Sequence, residues 1–152
     1  GAVSGNTASE NSSRSNFQCQ NNSGQGSSED KQAGRATPSD WIKEGQIELF
    51  SDRIVLYIKD ARLSKYAGTD SMGSLISPHA NGIEIVPTSP EQIKLGDIVA
   101  FYLEEYLVVH RVVKIGQDEQ GIYYVTKADN YEQEDKPIRF EQIKYVTIGI
   151  LY

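Results

Sequence analysis

Beyond residue 38, the hydrophobic positions fall in short runs separated by polar turn residues, a pattern typical of β-strands. The clearest example is a predicted hairpin. "DIVAFYL" and "YLVVHRVVKIG" are rich in Val, Ile and aromatic residues and flank the pair Glu104–Glu105. "QDEQG" then turns the chain into another strand, "IYYVTK", and "IRFEQIKYVTIGILY" predicts a short helical turn followed by a last strand. The pattern predicts a mainly β domain, either a coiled sheet or a small barrel.

The preceding segments carry weaker signals. "TPSDWIKEGQ" predicts one helical turn capped by Ser39 or Asp40 and ended by Gly45. "IELFSDRIVLYI" predicts two short strands joined across Ser-Asp, and "IEIV" predicts another strand. "SPEQIKLG" has the Ser-Pro start and Gly stop of a short helical turn. "DARLSKYAGTDSMGSLI" has no regular period, so it predicts an irregular segment.

The first 38 residues differ in composition from the rest of the chain of 152. They are mostly Ser, Asn, Gln and Gly, and such a segment buries too little apolar surface to offset its chain entropy. We therefore predict a disordered linker at 1–38 and a folded domain at 39–152. Cys19, the one cysteine, lies in the linker, so no disulfide within the chain is expected.

Charge and composition exclude several classes of function. The net charge is −6 and no basic block is present, which argues against nucleic-acid binding. No regular spacing of His, Cys or carboxylate residues indicates a metal site, and no cofactor is expected. His79, in the Gly- and Pro-bounded "SPHANG", is expected to be exposed. No run approaches the roughly 20 apolar residues of a membrane span.

Three kinds of side chain could carry chemistry. His110 lies in the apolar "LVVHRVV", where a hydrogen-bonded core histidine is the ordinary alternative to a catalytic one. Ser71 lies in a Gly-flanked turn, which can expose a nucleophile, although many loops hold a serine. The polar loop "KADNYEQED" supplies Asp129 and Asp135, either of which could orient an imidazole or simply be solvated.

The order of four short motifs is more specific than any one of them. "DSM", "GDIVAFY", "VVHRVV" and "TKADNYEQED" precede the terminal "VTIGILY". Together they resemble the type I signal peptidase family, in its archaeal and endoplasmic-reticulum branch. That branch has Ser-Met, Gly-Asp, Val-His-Arg and a Lys-Gly-Asp-Asn loop with a second Asp six residues after the first. The resemblance covers roughly residues 66–152.

The resemblance implies a function and a set of site residues. Ser71 would be the nucleophile, His110 the general base and Asp135 the acid that orients the histidine, with Asp129 as a supporting residue of the catalytic set. Met72 would pack under the substrate groove. The implied fold is a coiled, mostly antiparallel sheet or partial barrel. The implied activity is endopeptidic cleavage of exported precursor proteins after small residues, at an extracytoplasmic site and with a membrane anchor outside this sequence.

Two departures keep an alternative open. Ser74 stands where the family has Pro, and Ala128 stands where it has a Gly that would tolerate positive φ. The alternative is a catalytically inactive relative whose β domain binds extended peptides or partner proteins. A self-cleaving repressor-like protease is disfavoured, because it would have Lys at the His110 position and a DNA-binding region in place of the linker.

Overall fold

The computed structural model describes residues 35–67, 70–73 and 75–152. Residues 1–34 of the predicted disordered linker lie outside this range. Strands dominate the described residues, and the helical elements there are short 3-10 turns, so the prediction of a mainly β domain with short helical turns is confirmed. In the described part of the chain, no helix is long and apolar enough to cross a membrane.

The described strands are β1 (Ile47–Leu49), β2 (Ile54–Leu56), β3 (Arg62–Lys65), β4 (Asn81–Ile85), β5 (Ile98–Leu103), β6 (Tyr106–Asp118), β7 (Gly121–Lys127), β8 (Ile138–Arg139) and β9 (Ile143–Leu151). They form two antiparallel sheets, a hairpin of β1 and β2 and a larger sheet of seven strands in the order β3-β4-β9-β5-β6-β7-β8. The larger sheet has β3 and β8 at its edges and is not closed into a barrel. The 3-10 turns are Glu44–Gln46, Asp70–Met72, Pro90–Gln92 and Phe140–Gln142.

Two buried clusters hold the larger sheet together. The main one lies on the face that carries Val99, Phe101 and Val112, and it includes the fully buried Tyr124. A smaller cluster joins Met72 to Ile76 and Ile98. The second cluster matters for the site, because it fixes the segment around Ser71 against the sheet by burying apolar surface.

The structure corrects two local predictions. Neither Ser39 nor Asp40 caps a helical turn. The Ser39 N–H donates to Asp97 Oδ1 at 2.8 Å, and the predicted turn lies later, at Glu44–Gln46, with Gly45 inside it. The segment predicted to be irregular contains β3, Arg62–Lys65, which pairs with β4.

Residues before the predicted boundary at 38 pack on the domain. Gly96 has φ +90°, and a Cβ added there would lie 2.1 Å from the carbonyl oxygen of Thr37. Asp97, fully buried, accepts from Trp41 Nε1 at 3.2 Å and from the Lys94 N–H at 2.8 Å. The segment that leads into the domain, residues 37–41, therefore packs on the Gly96–Asp97 turn before β5.

Replacing Gly96 tests this packing of residue 37 against the turn. We expect Gly96→Ala to lower the free energy of unfolding by at least about 1–2 kcal/mol, because Ala is strained in the left-handed region and its methyl group meets Thr37. Gly45→Ala is the matched control, since a Cβ there meets nothing within 4 Å. Urea unfolding measures both, and equal stability of the two variants would contradict the packing described here.

Candidate active site

The centre of the site is a histidine–carboxylate pair on β6 and the loop after β7. His110 Nδ1 lies 2.6 Å from Asp135 Oδ2, and both side chains are largely buried. His110 also meets the Phe101 ring edge-on, with ring centroids 5.9 Å apart. Since Asp135 engages Nδ1, Nε2 is the ring nitrogen from which proton transfer to or from a reactant can take place.

β7 holds Asp135 in place through a single residue. The Thr126 hydroxyl donates to Asp135 Oδ2 at 2.7 Å, and the Asp135 N–H donates to the Thr126 carbonyl at 2.8 Å. Next to this contact, Glu134 of the loop and Lys127 of β7 form an isolated antiparallel β-bridge. Backbone and side chain of Asp135 are therefore both fixed, which sets the direction of its carboxylate toward His110.

Ser71 lies in the 3-10 turn Asp70–Met72, and Asn130 holds that turn. The Asn130 N–H donates to the Ser71 carbonyl at 3.0 Å, and the Asn130 side-chain amide donates to the carbonyl of Asp70. Gly73 makes room for this amide, because it has φ +59° and a Cβ there would lie 2.5 Å from Asn130 Oδ1. The same loop thus carries the residue that orients His110 and the residue that holds the Ser71 turn.

β6 brings the Ser71 turn and the loop after β7 together, because β7 pairs with only part of its length. Residues 106–111 pair with β5, whereas β7 pairs only from Arg111 onward. The turn Asp70–Met72 contacts β6, and the loop after β7 supplies Asn130 and Asp135 there. The end of the β6–β7 ladder is therefore the place where three separate segments of the sequence meet.

A single open cavity of about 1310 Å³ is bordered by Ser71, Met72, His110 and Asp135. Its other walls come from β3 and the residues just after it, from β4, from the β5–β6 hairpin and from the loop after β7. These include Ser64, Tyr66, Glu84, Leu103, Leu107 and Tyr131. Met72 is only 3% exposed, so it forms the buried floor beside Ser71. The cavity is large enough for several residues of an extended peptide.

Asp129 faces a different partner from Asp135. Its carboxylate accepts from Arg111 Nε at 2.9 Å and from Arg111 Nη2 at 2.8 Å, a bidentate pair in which both side chains are buried. Burial raises the pKa of Asp129, but the Arg111 guanidinium outweighs that effect and holds the pKa below its usual range. Asp129 therefore supports the loop through Arg111 and does not contact His110 in the way Asp135 does.

The remaining predicted features are placed as follows. His79 is exposed and has φ +79°. Ala128 is buried and is not among the described residues with positive φ, so Ala in place of Gly causes no strain there. Ser74 lies outside the described residues. Among those that are described, no group of three or more His, Cys, Asp or Glu side chains is arranged to hold a metal ion.

Two residues of the site were not singled out from the sequence. Asn130 lies in the loop "KADNYEQED" and Thr126 in the predicted strand "IYYVTK", and the sequence assigns neither residue a role in the site. The contact between Asn130 and Asp70 spans 60 positions, so no local pattern indicates it.

Comparison of the chain with protein families, with curated proteins and with solved structures found no match.

Proposed function

We propose that this chain is a serine endopeptidase of the signal peptidase type, which cleaves exported precursor proteins after small residues. The observation that carries the proposal is the largely buried His110–Asp135 pair at 2.6 Å, at the wall of a cavity that Ser71 also lines. Such a pair fixes the imidazole tautomer and stabilises the imidazolium that forms during acyl transfer. The order of the sequence motifs supports the narrower assignment to signal peptidases.

The proposed reaction has two steps. In the first, His110 Nε2 takes the proton of the Ser71 hydroxyl while Oγ attacks the scissile carbonyl, and His110 then gives that proton to the leaving amine. In the second, His110 activates a water that hydrolyses the acyl-enzyme and releases the free carboxylate and Ser71. Backbone N–H groups of the turn around Ser71 would stabilise the oxyanion.

Peptide binding can use the edges of the sheet. β3 is an edge strand, and Ser64 and Lys65 of β3 line the cavity. An extended peptide that adds to such an edge gains main-chain hydrogen bonds, and its alternate side chains point into the cavity. An inactive peptide-binding relative would use the same surface, so cleavage is the property that separates the two functions.

Replacing Asp135 tests the proposed role of the pair. We expect Asp135→Asn to lower kcat by about 10⁴-fold, because the amide no longer fixes the catalytic tautomer of His110. Glu132→Gln is the control, since Glu132 is an exposed acid of the same loop and borders the same cavity. The assay is cleavage of a peptide with small residues before the scissile bond, followed by mass spectrometry of the products. Equal kcat for wild type and Asp135→Asn would overturn the proposal.

A further inference from the structure

The end of the linker is bound to the loop of the candidate active site. Arg35 Nη2 donates to the Asp129 carbonyl at 2.8 Å, and Arg35 Nη1 lies 3.6 Å from Asp129 Oδ2. The next residue, Ala36, accepts from Arg111 Nη1 at 3.0 Å through its carbonyl. Residues 35–36, at the end of the linker, therefore contact both members of the Arg111–Asp129 pair.

This contact lies one peptide bond from the residue that holds Ser71. Arg35 fixes the carbonyl of Asp129, and the following residue, Asn130, donates to the carbonyls of Ser71 and Asp70. The orientation of the peptide unit between Asp129 and Asn130 is thus set at one end by Arg35 and at the other by the Ser71 turn. A planar peptide unit transmits a rotation at its carbonyl directly to its N–H.

We propose that Arg35 is a positioning residue for the Ser71 turn and acts through the peptide unit of Asp129 and Asn130. The linker end is then part of the framework of the site. The ion pair of Arg35 contributes little to overall stability, because its side chain is 58% exposed. Its effect is on geometry, to which acyl transfer is sensitive. The expected effect on cleavage rests on the proposed function, whereas the effect on Asn130 does not.

The first test is amide hydrogen exchange in the full chain. We expect Arg35→Ala to speed exchange of the Asn130 N–H about tenfold, because opening this hydrogen bond becomes easier. The Val112 N–H, bound to the Asp97 carbonyl at 2.8 Å, should be unchanged. Arg53→Ala is the matched control, because Arg53 is equally exposed at 57% and pairs with Asp52 on the β1–β2 hairpin. Equal exchange at Asn130 in the two variants would overturn the proposal.

The second test is the kinetics of peptide cleavage. We expect Arg35→Ala to lower kcat about tenfold with KM within about twofold, the sign of a misplaced nucleophile with intact binding. Arg35→Lys should recover only part of kcat, since an ammonium lacks the planar fork that reaches both the carbonyl oxygen and Oδ2 of Asp129. Faster exchange at Asn130 with unchanged kcat would contradict a positioning role. If wild type itself does not cleave, the proposed function fails, and the exchange result alone decides whether Arg35 holds Asn130.

Discussion

Ser71→Ala is expected to lower cleavage of a peptide substrate by about 10⁶-fold, because the methyl group cannot form the acyl-enzyme. Substrate binding should persist, since Ser71 contributes a small part of a cavity whose floor and walls come from other residues. Initial rates from product peptides measure the first effect, and fluorescence anisotropy of a labelled peptide measures the second. Loss of cleavage with retained binding is the signature of a nucleophile.

Ser64→Ala is the matched control for this experiment. Ser64 lines the same cavity but lies on β3, the edge strand that pairs with β4, whereas His110 lies on β6 and Asp135 in the loop after β7. We expect its kcat to stay within a few-fold of wild type. Cleavage by Ser71→Ala at the wild-type rate, at the same peptide bond, would mean that another group carries the reaction.

Arg111→Met is expected to have the largest effect on stability, a loss of about 3–5 kcal/mol in the free energy of unfolding. Arg111 gives two hydrogen bonds to Asp129 and one each to the carbonyls of Ala36 and Gly96, and its exposed fraction is 6%. Its removal leaves the carboxylate of Asp129 buried without its main cation. Urea unfolding of wild type and variant measures the difference.

Two further variants isolate the cause of that loss. Arg53→Met removes an exposed pair with Asp52 and should change stability by about 0–1 kcal/mol. Arg111→Met combined with Asp129→Asn removes the unpaired charge and should recover part of the loss. If Arg111→Met and Arg53→Met have the same stability, the buried pair does not fix this part of the domain.

The same pair makes stability depend on pH. The pKa of Asp129 is lower in the folded chain, so the folded state binds fewer protons than the unfolded state at pH values between the two pKa values. This contribution to stability is full above the unfolded pKa of about 3.9 and is lost as pH falls through the folded pKa. Unfolding curves of wild type should therefore show a steeper loss below about pH 4 than those of Asp129→Asn.

The sequence predicts most strands of the fold because their signals are local. β5, β6 and β7 are dense in Val, Ile and aromatic residues and are separated by short polar turns. β3 was not predicted, because "RLSK" is mostly exposed and lies at the edge of the sheet, where packing imposes little pattern. The cap predicted at Ser39 or Asp40 was wrong, because the Ser39 hydroxyl binds Asp97, 58 positions away, and the turn begins only at Glu44.

The candidate site shows the same division between local and distant information. Motif order is enough to nominate Ser71, His110 and Asp135, whose roles stay predictions. The contacts that fix these residues are not readable from the sequence. Thr126 and Asn130 act through hydrogen bonds that exist only once β7, its loop and the Ser71 turn have come together. The motif resemblance nominates Asp135 as the partner of His110, whose Nδ1 lies 2.6 Å from its carboxylate, whereas the pairing of Asp129 with Arg111 is visible only in the fold.

Acyl-enzyme trapping tests directly whether Ser71 is the nucleophile. The full chain is mixed with an active ester of a peptide ending in alanine, quenched in acid, digested and examined by mass spectrometry. We expect an acyl group on the fragment that contains Ser71 in wild type, and no acyl group there in Ser71→Ala or in His110→Ala. An acyl group on another residue, or cleavage of the matching peptide without any adduct at Ser71 under single-turnover conditions, would contradict it.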